Sequence, residues 1–321
     1  MRYKTTLDLR FPNFFRFALL FAFNSLLFFI ELFQLYTRVV FALIESLIYA
    51  TIISKRRKSI ANELILITGA AHGIGRHLAL SLAQYGPILV LWDIDKEQCD
   101  RTASEVVKQG GIAYSYKVDV SDFDQVEQTS LKVRQTIGDV YMVINNAGIL
   151  NCKALWNLTS RGIEKTIKTN LLSHFWTVKC FLPRMQQVGR GHIVAMSSNM
   201  GLYGRSYFTD YAASKFGVIG FMQALDDELR VTHNNNIVLT TICPSAVETG
   251  LSKIRPTRIS WLLPVLNLDY TVNRIIDAIL RDEHLVIFPY GYKIFYYIIR
   301  QCPRKVSQLI TDFVGNTVEP N

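Results

Sequence analysis

A glycine-rich loop between a short apolar strand and a helical segment constrains the fold of this chain more than any other feature. The run Leu64–Ile67 is apolar throughout, and residues 68–75 follow it with the sequence Thr-Gly-Ala-Ala-His-Gly-Ile-Gly. A helical segment then extends to about Tyr85. Glycines let a loop backbone approach a pyrophosphate closely, and the start of a helix offers N–H donors and a positive dipole end. This strand–loop–helix order therefore predicts a dinucleotide-binding site.

Predicted strands and helices alternate through the rest of residues 61–290. Further strands are predicted at Ile88–Trp92, Ile112–Val118, Val140–Ile144 and Ile193–Met196, and helices at about Lys96–Gln109 and Phe123–Ile137. The strands are continuous apolar runs, which is typical of a parallel sheet covered by helices on both faces. We therefore predict an α/β fold with a doubly wound, Rossmann-type parallel sheet in a single domain.

The first 60 residues form a hydrophobic segment with a basic flank, and we predict that they anchor the chain to a membrane as a helical segment. Residues 13–36 are long enough to cross a bilayer, whereas the second apolar stretch, Val39–Ile53, has roughly fifteen residues against the ~20 required. The basic cluster at residues 55–58 predicts that the following domain faces the cytosol. Arg2, Lys4 and Arg10 flank the other side, so a single span, a re-entrant hairpin and an in-plane anchor all remain open.

Charge, cysteine and histidine patterns exclude several classes of function. Residues 1–60 carry a net charge of +6, residues 61–250 carry zero and residues 251–321 carry +3. A neutral middle with basic ends favours an anionic membrane surface as partner and argues against a nucleic-acid groove. The five cysteines contain no Cys-x-x-Cys pair, which predicts reduced thiols, and the histidines show no metal-ligand spacing, so no metal is predicted.

The segment Tyr-Ala-Ala-Ser-Lys is the candidate for catalysis. Tyr211 and Lys215 stand one helical turn apart, so the ammonium can lie beside the phenol. A nearby positive charge favours the phenolate and lowers its pKa from the usual value of about 10. Ser198 follows an apolar run, which places its hydroxyl near a strand end, and Ser197 is an adjacent alternative. This arrangement predicts proton removal from an alcohol, although the Tyr-x-x-x-Lys spacing also arises by chance on amphipathic helices.

Together these motifs resemble the short-chain dehydrogenase/reductase family over roughly residues 62–250. The motifs are the glycine-rich loop, Asn145-Asn146-Ala147-Gly148, Asn170, Ser198, Tyr211 and Lys215. The N-terminal segment, residues 89–95 and the stretch from Phe175 to Pro183 resemble the membrane-anchored branch that contains epidermal retinol dehydrogenases and lipid-droplet 17β-hydroxysteroid dehydrogenases. The resemblance implies a homodimer at the endoplasmic reticulum membrane or on lipid droplets, with the catalytic domain facing the cytosol.

The resemblance also implies roles for individual residues. Tyr211 would be the general base, Lys215 would lower its pKa and hold the nicotinamide ribose, and Ser198 would hold the substrate oxygen. Asn170 would organise a water relay behind Lys215. The implied cofactor-binding residues are Thr68, Gly69, His72, Gly73, Ile74, Gly75, Asp93, Asp119, Val120, Asn146, Ala147, Gly148, Tyr211, Lys215, Pro244, Val247 and Thr249. One departure is Ser245, which follows Pro244 where the family usually has glycine and predicts an altered loop geometry.

Asp93 at the end of the second strand bears on the choice of cofactor. Its carboxylate can accept hydrogen bonds from the adenosine ribose and would repel a 2′-phosphate. Neither Ala71 nor Ile94 offers a cation for such a phosphate, so we predict NAD in preference to NADP. The alternative is that Asp93 caps the following helix, as Asp95 could. Asp119 ends the third strand and could bond the adenine amino group.

The C-terminal part of the chain is more apolar and aromatic. Residues of about 245–270 are expected to form a substrate lid, and residues 291–321 an aromatic and basic helical tail that either lies at a membrane interface or packs on the domain. Asn157 begins a glycosylation sequon, whose Thr159, or the next residue, is expected to cap a helix.

The predicted activity is NAD-dependent oxidation of a lipophilic primary or secondary alcohol of the retinol or hydroxysteroid class. The alternatives are an NADPH-dependent lipid carbonyl reductase and, more remotely, a non-catalytic scaffold on the surface of lipid droplets or the endoplasmic reticulum. The sequence does not distinguish retinoid, steroid and fatty alcohols, because the conformation of the lid decides the shape of the pocket.

Overall fold

The computed structural model describes residues 13–51, 56–232, 236–250 and 257–315. The chain forms two compact units, one that ends at Arg56 and one that begins at Arg57. The predicted boundaries at residues 60 and 290 stay predictions.

The first unit contains α1, a single helix of 39 residues from Asn13 to Thr51. It runs through the first apolar stretch and through the second as far as Thr51, because no glycine or proline interrupts these residues. Its segment Phe17–Glu45 is long and apolar enough to cross a membrane, and none of that segment is buried. By length and composition alone, α1 is therefore a candidate membrane anchor.

The second unit begins with part of the basic cluster. Arg57 pairs with Asp277 at 2.7 Å, and Lys58 pairs with Asp282 at 2.7 Å. Lys58 also donates its backbone N–H to the Leu280 carbonyl at 2.7 Å. Two of the four cations of the basic cluster are thus engaged within the folded domain, while Lys55 lies outside the described residues.

The described part of the second unit contains one parallel sheet of seven strands in the order β3-β2-β1-β4-β5-β6-β7. The strands are β1 Leu64–Thr68, β2 Ile88–Asp93, β3 Ile112–Lys117, β4 Met142–Asn145, β5 Arg190–Met196, β6 Asn236–Pro244 and β7 Leu285–Phe288. The helices are α2 Gly73–Ala83, α3 Lys96–Lys108, α4 Phe123–Thr136, α5 Ser160–Ile167, α6 Ser173–Val188, α7 Thr209–Val231, α8 Leu268–Leu280, α9 Tyr290–Gln301 and α10 Arg304–Val314. The predicted doubly wound α/β fold is confirmed.

Both faces of the sheet are buried, which explains the continuous apolar strands. In β1, Ile65 and Ile67 pack into the core on one face, whereas Leu64 and Leu66 pack into the core on the other. The expectation of a buried apolar run is wrong for β3, whose residues are exposed or half-buried because it is the edge strand. In the sheet, β2 and β3 lie on one side of β1, whereas β4 and the later strands lie on its other side, so the strand order reverses at β1. This reversal opens a crevice at the carboxyl ends of β1 and β4, where ligands of such sheets bind.

Candidate active site

The glycine-rich loop is fixed to the end of β4 by side-chain hydrogen bonds. The Thr68 hydroxyl accepts the backbone N–H groups of Asn146 at 3.0 Å and Ala147 at 3.1 Å. The Asn146 side-chain amide donates to the carbonyls of Thr68 at 3.0 Å and Gly69 at 3.1 Å. Asn146 lines the crevice as expected, and its amide also holds the loop in place.

Three glycines bring the loop and the start of α2 close together. Gly69 and Gly73 have φ angles of +67° and +51°, in the left-handed region that favours glycine. A Cβ on Gly75 would lie 2.0 Å from the Gly69 carbonyl oxygen. The N-cap residue of α2, His72, makes no side-chain capping bond, and the first turn contains no acidic residue. The first N–H groups of α2 are thus suited to a dinucleotide pyrophosphate.

Replacing Gly75 with Ala is expected to weaken cofactor binding and to lower stability, because the added methyl group collides with the Gly69 carbonyl. Overpacking of this kind costs about 1–3 kcal/mol. Thermal unfolding and cofactor titration would measure both effects. The control is Gly204→Ala, where an added Cβ meets no atom within 4 Å. Unchanged cofactor affinity in Gly75→Ala would contradict the role given to this close approach.

The Asp93 carboxylate is held at the end of β2 by two backbone groups. One oxygen accepts the Ala71 N–H at 2.9 Å, and the other accepts the Asp95 N–H at 2.9 Å. Asp95, and not Asp93, caps α3, because its carboxylate accepts the Gln98 N–H. The alternative that Asp93 caps the following helix is therefore wrong. Asp93 lines the crevice beside the exposed Ile94.

Asp119 follows β3 and lines the same crevice. One of its carboxylate oxygens accepts the Ser121 N–H at 2.9 Å and the Ser121 hydroxyl at 2.7 Å. Within the described residues, the other carboxylate oxygen accepts no hydrogen bond and is available for a ligand donor such as an adenine amino group.

Tyr211 and Lys215 lie on the same side of α7, as their spacing predicts. Lys215 is 3% exposed, and its ammonium lies 5.6 Å from the centroid of the Tyr211 ring. The ammonium donates to the Met196 carbonyl at 2.7 Å. Helical periodicity and the end of β5 thus bring the base candidate and the cation together.

Burial dominates the pKa values of this pair. It raises the pKa of Tyr211 to about 12, and a side-chain hydrogen bond with Ser198 acts in the opposite direction. Burial also lowers the pKa of Lys215 to about 8. The expectation of a lowered Tyr211 pKa is wrong for this structure, because loss of solvation raises that pKa more than neighbouring groups lower it.

Ser198 and Ser197 have different partners, which separates the two alternatives. The Ser198 hydroxyl donates to the Asn199 side-chain carbonyl at 3.1 Å and accepts the Met200 N–H at 3.2 Å. The Ser197 hydroxyl donates to the backbone carbonyl of Lys215 at 2.9 Å. Ser197 therefore joins β5 to α7, whereas Ser198 is the serine next to the Tyr211 phenol.

Asn170 lies in a π-helical turn, Lys168–Leu172, between α5 and α6 and is fully buried. Its side chain accepts the Ile149 N–H at 2.8 Å and donates to the Ile149 carbonyl at 2.9 Å. It also donates to the Ser214 hydroxyl at 3.2 Å. Asn170 therefore braces the segment after β4 against α7.

These groups surround one cavity of about 620 Å³. All the predicted site residues line it except Thr68, Gly75 and Asn170, which are buried. Sequence reasoning missed Lys165 and Thr169, which line the same cavity. Lys165 and Thr169 stand four residues, about one helical turn, apart, and this spacing is the signal that could have identified them. The cavity also has apolar lining residues, among them Leu150, Met200 and Phe208.

Two hydrogen bonds hold Ser245 in the loop after β6, and the altered loop geometry expected there stays a prediction. The Ser245 N–H donates to the Phe288 carbonyl at 3.0 Å, and its hydroxyl donates to the Pro264 carbonyl at 3.4 Å. Val247 pairs with Leu266 in an isolated parallel bridge. Of the expected lid, residues 245–250 and 257–270 are described, whereas residues 251–256 lie outside the described part of the chain.

The glycine-rich loop, the start of α2 without a side-chain cap and the Asp93 carboxylate fit a dinucleotide. Lys215 and Tyr211 line the same cavity. The arrangement can bind such a cofactor along the crevice and remove a proton from a hydroxyl group beside it.

Known proteins are similar to this chain in sequence and in architecture. The family model for short chain dehydrogenase matches residues 63–258. The 17-beta-hydroxysteroid dehydrogenase 13 of Homo sapiens is 37% identical over 281 residues, which cover 88% of this chain and 92% of that protein. Epidermal retinol dehydrogenase 2 of Mus musculus is 37% identical over 279 residues, or 85% and 89% of the two chains. A short chain dehydrogenase/reductase from Burkholderia phymatum in complex with NAD has a TM-score of 0.69 at 22% identity and covers 82% of this chain and 99% of its own.

Proposed function

Because this chain belongs to the short-chain dehydrogenase family and is an NAD(P)-dependent oxidoreductase acting on alcohol donors, we propose that it oxidises a lipophilic alcohol with NAD. The proposed substrate is a primary or secondary alcohol of the retinol or hydroxysteroid class, and the names of the two relatives support that class. The observation that carries the proposal is the meeting of Ser198, Tyr211 and Lys215 on a cavity with apolar walls.

In the proposed reaction, Ser198 holds the substrate oxygen and Tyr211 removes the hydroxyl proton. A bound nicotinamide would supply the acceptor for the hydride that leaves the carbinol carbon. Tyr211 must lose its proton against a pKa that burial raises to about 12. Positive charge near the phenol, from Lys215 and from an oxidised cofactor, favours the reactive phenolate.

Alcohol oxidation is expected to become faster as the pH rises through neutrality, because Tyr211 has a raised pKa and acts only when deprotonated. The rise should flatten as Lys215 loses its own proton near its pKa of about 8. Lys215→Met should shift the rise to higher pH. Profiles of kcat/KM against pH would test this, with Lys168→Met, an exposed lysine, as control. Oxidation that is fastest at acidic pH would contradict a tyrosine base.

The activity itself is tested with the full chain in membranes, a panel of retinoids, hydroxysteroids and fatty alcohols, and both cofactors. We expect NAD-dependent oxidation of at least one retinoid or hydroxysteroid. Turnover that occurs only as carbonyl reduction with NADPH would favour the alternative of a lipid carbonyl reductase. The absence of turnover with every substrate and both cofactors would contradict the proposed substrate class.

We also propose that the protein is a homodimer at the endoplasmic reticulum membrane or on lipid droplets, with its catalytic domain facing the cytosol. The exposed apolar surface of α1 supports membrane anchoring. Helix α9 supports a second contact, because one of its faces packs on the domain through Tyr292 and Phe295 while the other is exposed. The exposed apolar side chains of α9 are Tyr290, Ile294, Tyr297 and Ile298. One face of α9 thus supports packing on the domain, and the other face supports contact with a membrane interface.

Deleting residues 1–54 is expected to release the domain from membranes only in part, because the outer face of α9 still contacts lipid. Sedimentation with membranes would measure the bound fraction. The matched variant combines the deletion with Tyr297→Ser and Ile298→Ser, two exposed positions whose change should leave the fold intact and complete the release. Complete release by the deletion alone would show that α1 is the whole anchor.

A further inference from the structure

The polar side chains of α1 form a stripe along one side of the helix. Asn24, Glu31, Arg38 and Glu45 follow one another at intervals of seven residues, and Gln34 lies beside them. At 3.6 residues per turn, these five residues project within an arc of about 80°. All five are exposed. We call them the polar stripe.

The side chains of the polar stripe have no partner within the described residues, whereas the hydroxyls of Ser25 and Thr37 do. The Ser25 hydroxyl donates to the Phe21 carbonyl at 2.8 Å, and the Thr37 hydroxyl donates to the Gln34 carbonyl at 2.9 Å. Both hydroxyls project away from the stripe and can be immersed in lipid without an unmet hydrogen bond. The stripe residues, by contrast, need water or lipid headgroups.

The length of the stripe decides between the possible orientations of the helix. Asn24 and Glu45 are about 32 Å apart along the axis, at 1.5 Å per residue, which matches the ~30 Å thickness of a bilayer core. A spanning helix would therefore carry unpartnered polar groups through the whole core, and a charged group at its centre costs about 2.5–3.5 kcal/mol even on insertion scales. A helix parallel to the surface would place all five at one depth, among the headgroups. The entire helix of 39 residues is about 58 Å long, nearly twice the core thickness.

We propose that α1 lies in the plane of a phospholipid leaflet, with the polar stripe toward the headgroups and the rest of its surface in the acyl chains, and does not cross the membrane. This inference rests on the proposed membrane association. A re-entrant hairpin is disfavoured by the uninterrupted helix, which contains no glycine or proline at a midpoint. A helix of this orientation needs only one leaflet, so it fits a bilayer and the monolayer around a lipid droplet equally well.

The test is cysteine accessibility in the full-length chain bound to microsomal membranes, with a membrane-impermeant maleimide as probe. Three stripe positions, Asn24→Cys, Glu31→Cys and Arg38→Cys, are each paired with a position on the opposite side of the helix. The opposite positions are Ala22→Cys, Phe29→Cys and Val40→Cys, and each lies within two residues of its partner along the axis. The unmodified chain gives the background from its five native cysteines.

We expect all three stripe positions to be labelled above background and all three opposite positions to be protected. A spanning helix or a hairpin would instead give pairs that behave alike, with Glu31→Cys and Phe29→Cys both protected, and would overturn the proposal. Sedimentation of the same samples separates this failure from a failure of membrane association, because a chain that does not sediment with membranes contradicts the anchor itself.

Discussion

Replacing Tyr211 with Phe is expected to lower kcat/KM for alcohol oxidation by about 10²–10⁴-fold, the usual contribution of a general base. The variant keeps the aromatic ring, which contacts the Phe208 ring at a centroid distance of 6.1 Å, and loses only the hydroxyl group. The Ser198 hydroxyl cannot replace Tyr211 as the base, because a serine hydroxyl is far less acidic than a phenol and its deprotonated form is not accessible. Cofactor affinity and thermal stability should remain close to those of the unmodified protein.

Steady-state kinetics with one fixed alcohol, together with cofactor titration, would measure both parts of this prediction. Tyr85→Phe is the matched control, because Tyr85 is a half-buried tyrosine that packs on the core away from the cavity. Oxidation by Tyr211→Phe at a rate near that of the unmodified enzyme would end the proposed mechanism. Loss of cofactor binding together with activity would mean that the hydroxyl organises the cavity instead of performing the chemistry.

Replacing Asp93 with Ser and Ile94 with Arg is expected to reverse the cofactor preference from NAD to NADP. Asp93 is held in place by two backbone N–H groups, and a carboxylate retains further acceptor sites for ribose hydroxyls. Hydrogen bonds to a charged group are worth about 1.5–3 kcal/mol. A 2′-phosphate would lose these bonds and also meet a like charge, so the unmodified enzyme should prefer NAD by about tenfold or more.

The measurement is kcat/KM for each cofactor with the same lipophilic alcohol. The single variants Asp93→Ser and Ile94→Arg separate the removal of repulsion from the gain of a phosphate-binding cation. A preference of the unmodified enzyme for NADP would show that Asp93 does not meet the ribose. The NADPH-dependent reductase would then become the leading proposal.

The fold could be predicted because the physical causes of its elements are local. Buried parallel strands need apolar side chains on both faces, as in β1, and a tight approach of loop and helix needs glycine, as at Gly75. The spacing of Tyr211 and Lys215 likewise translates directly into a shared helix face. The polarity of β3 shows the limit of this reasoning, because its position at the edge of the sheet depends on the order of all the strands.

Properties that depend on tertiary surroundings could not be predicted. The pKa of Tyr211 is set mainly by burial, which sequence spacing does not reveal, so the expected direction was wrong. The bonds of Ser245 depend on Pro264 and Phe288, which approach it only in the folded chain. The π-helical turn that contains Asn170 was likewise not predicted, because no sequence motif indicates it.

The hydrogen bonds between Thr68, Asn146 and the glycine-rich loop bear on how cofactor affinity arises. A loop that is already fixed to the end of β4 loses little conformational entropy when it closes on a ligand, so more of the interaction energy remains as affinity. In a variant without the Asn146 amide, the loop would have to be ordered at the moment of binding. The defect would then appear in the dissociation constant of the cofactor, and the rate of the chemical step in the saturated enzyme would change much less.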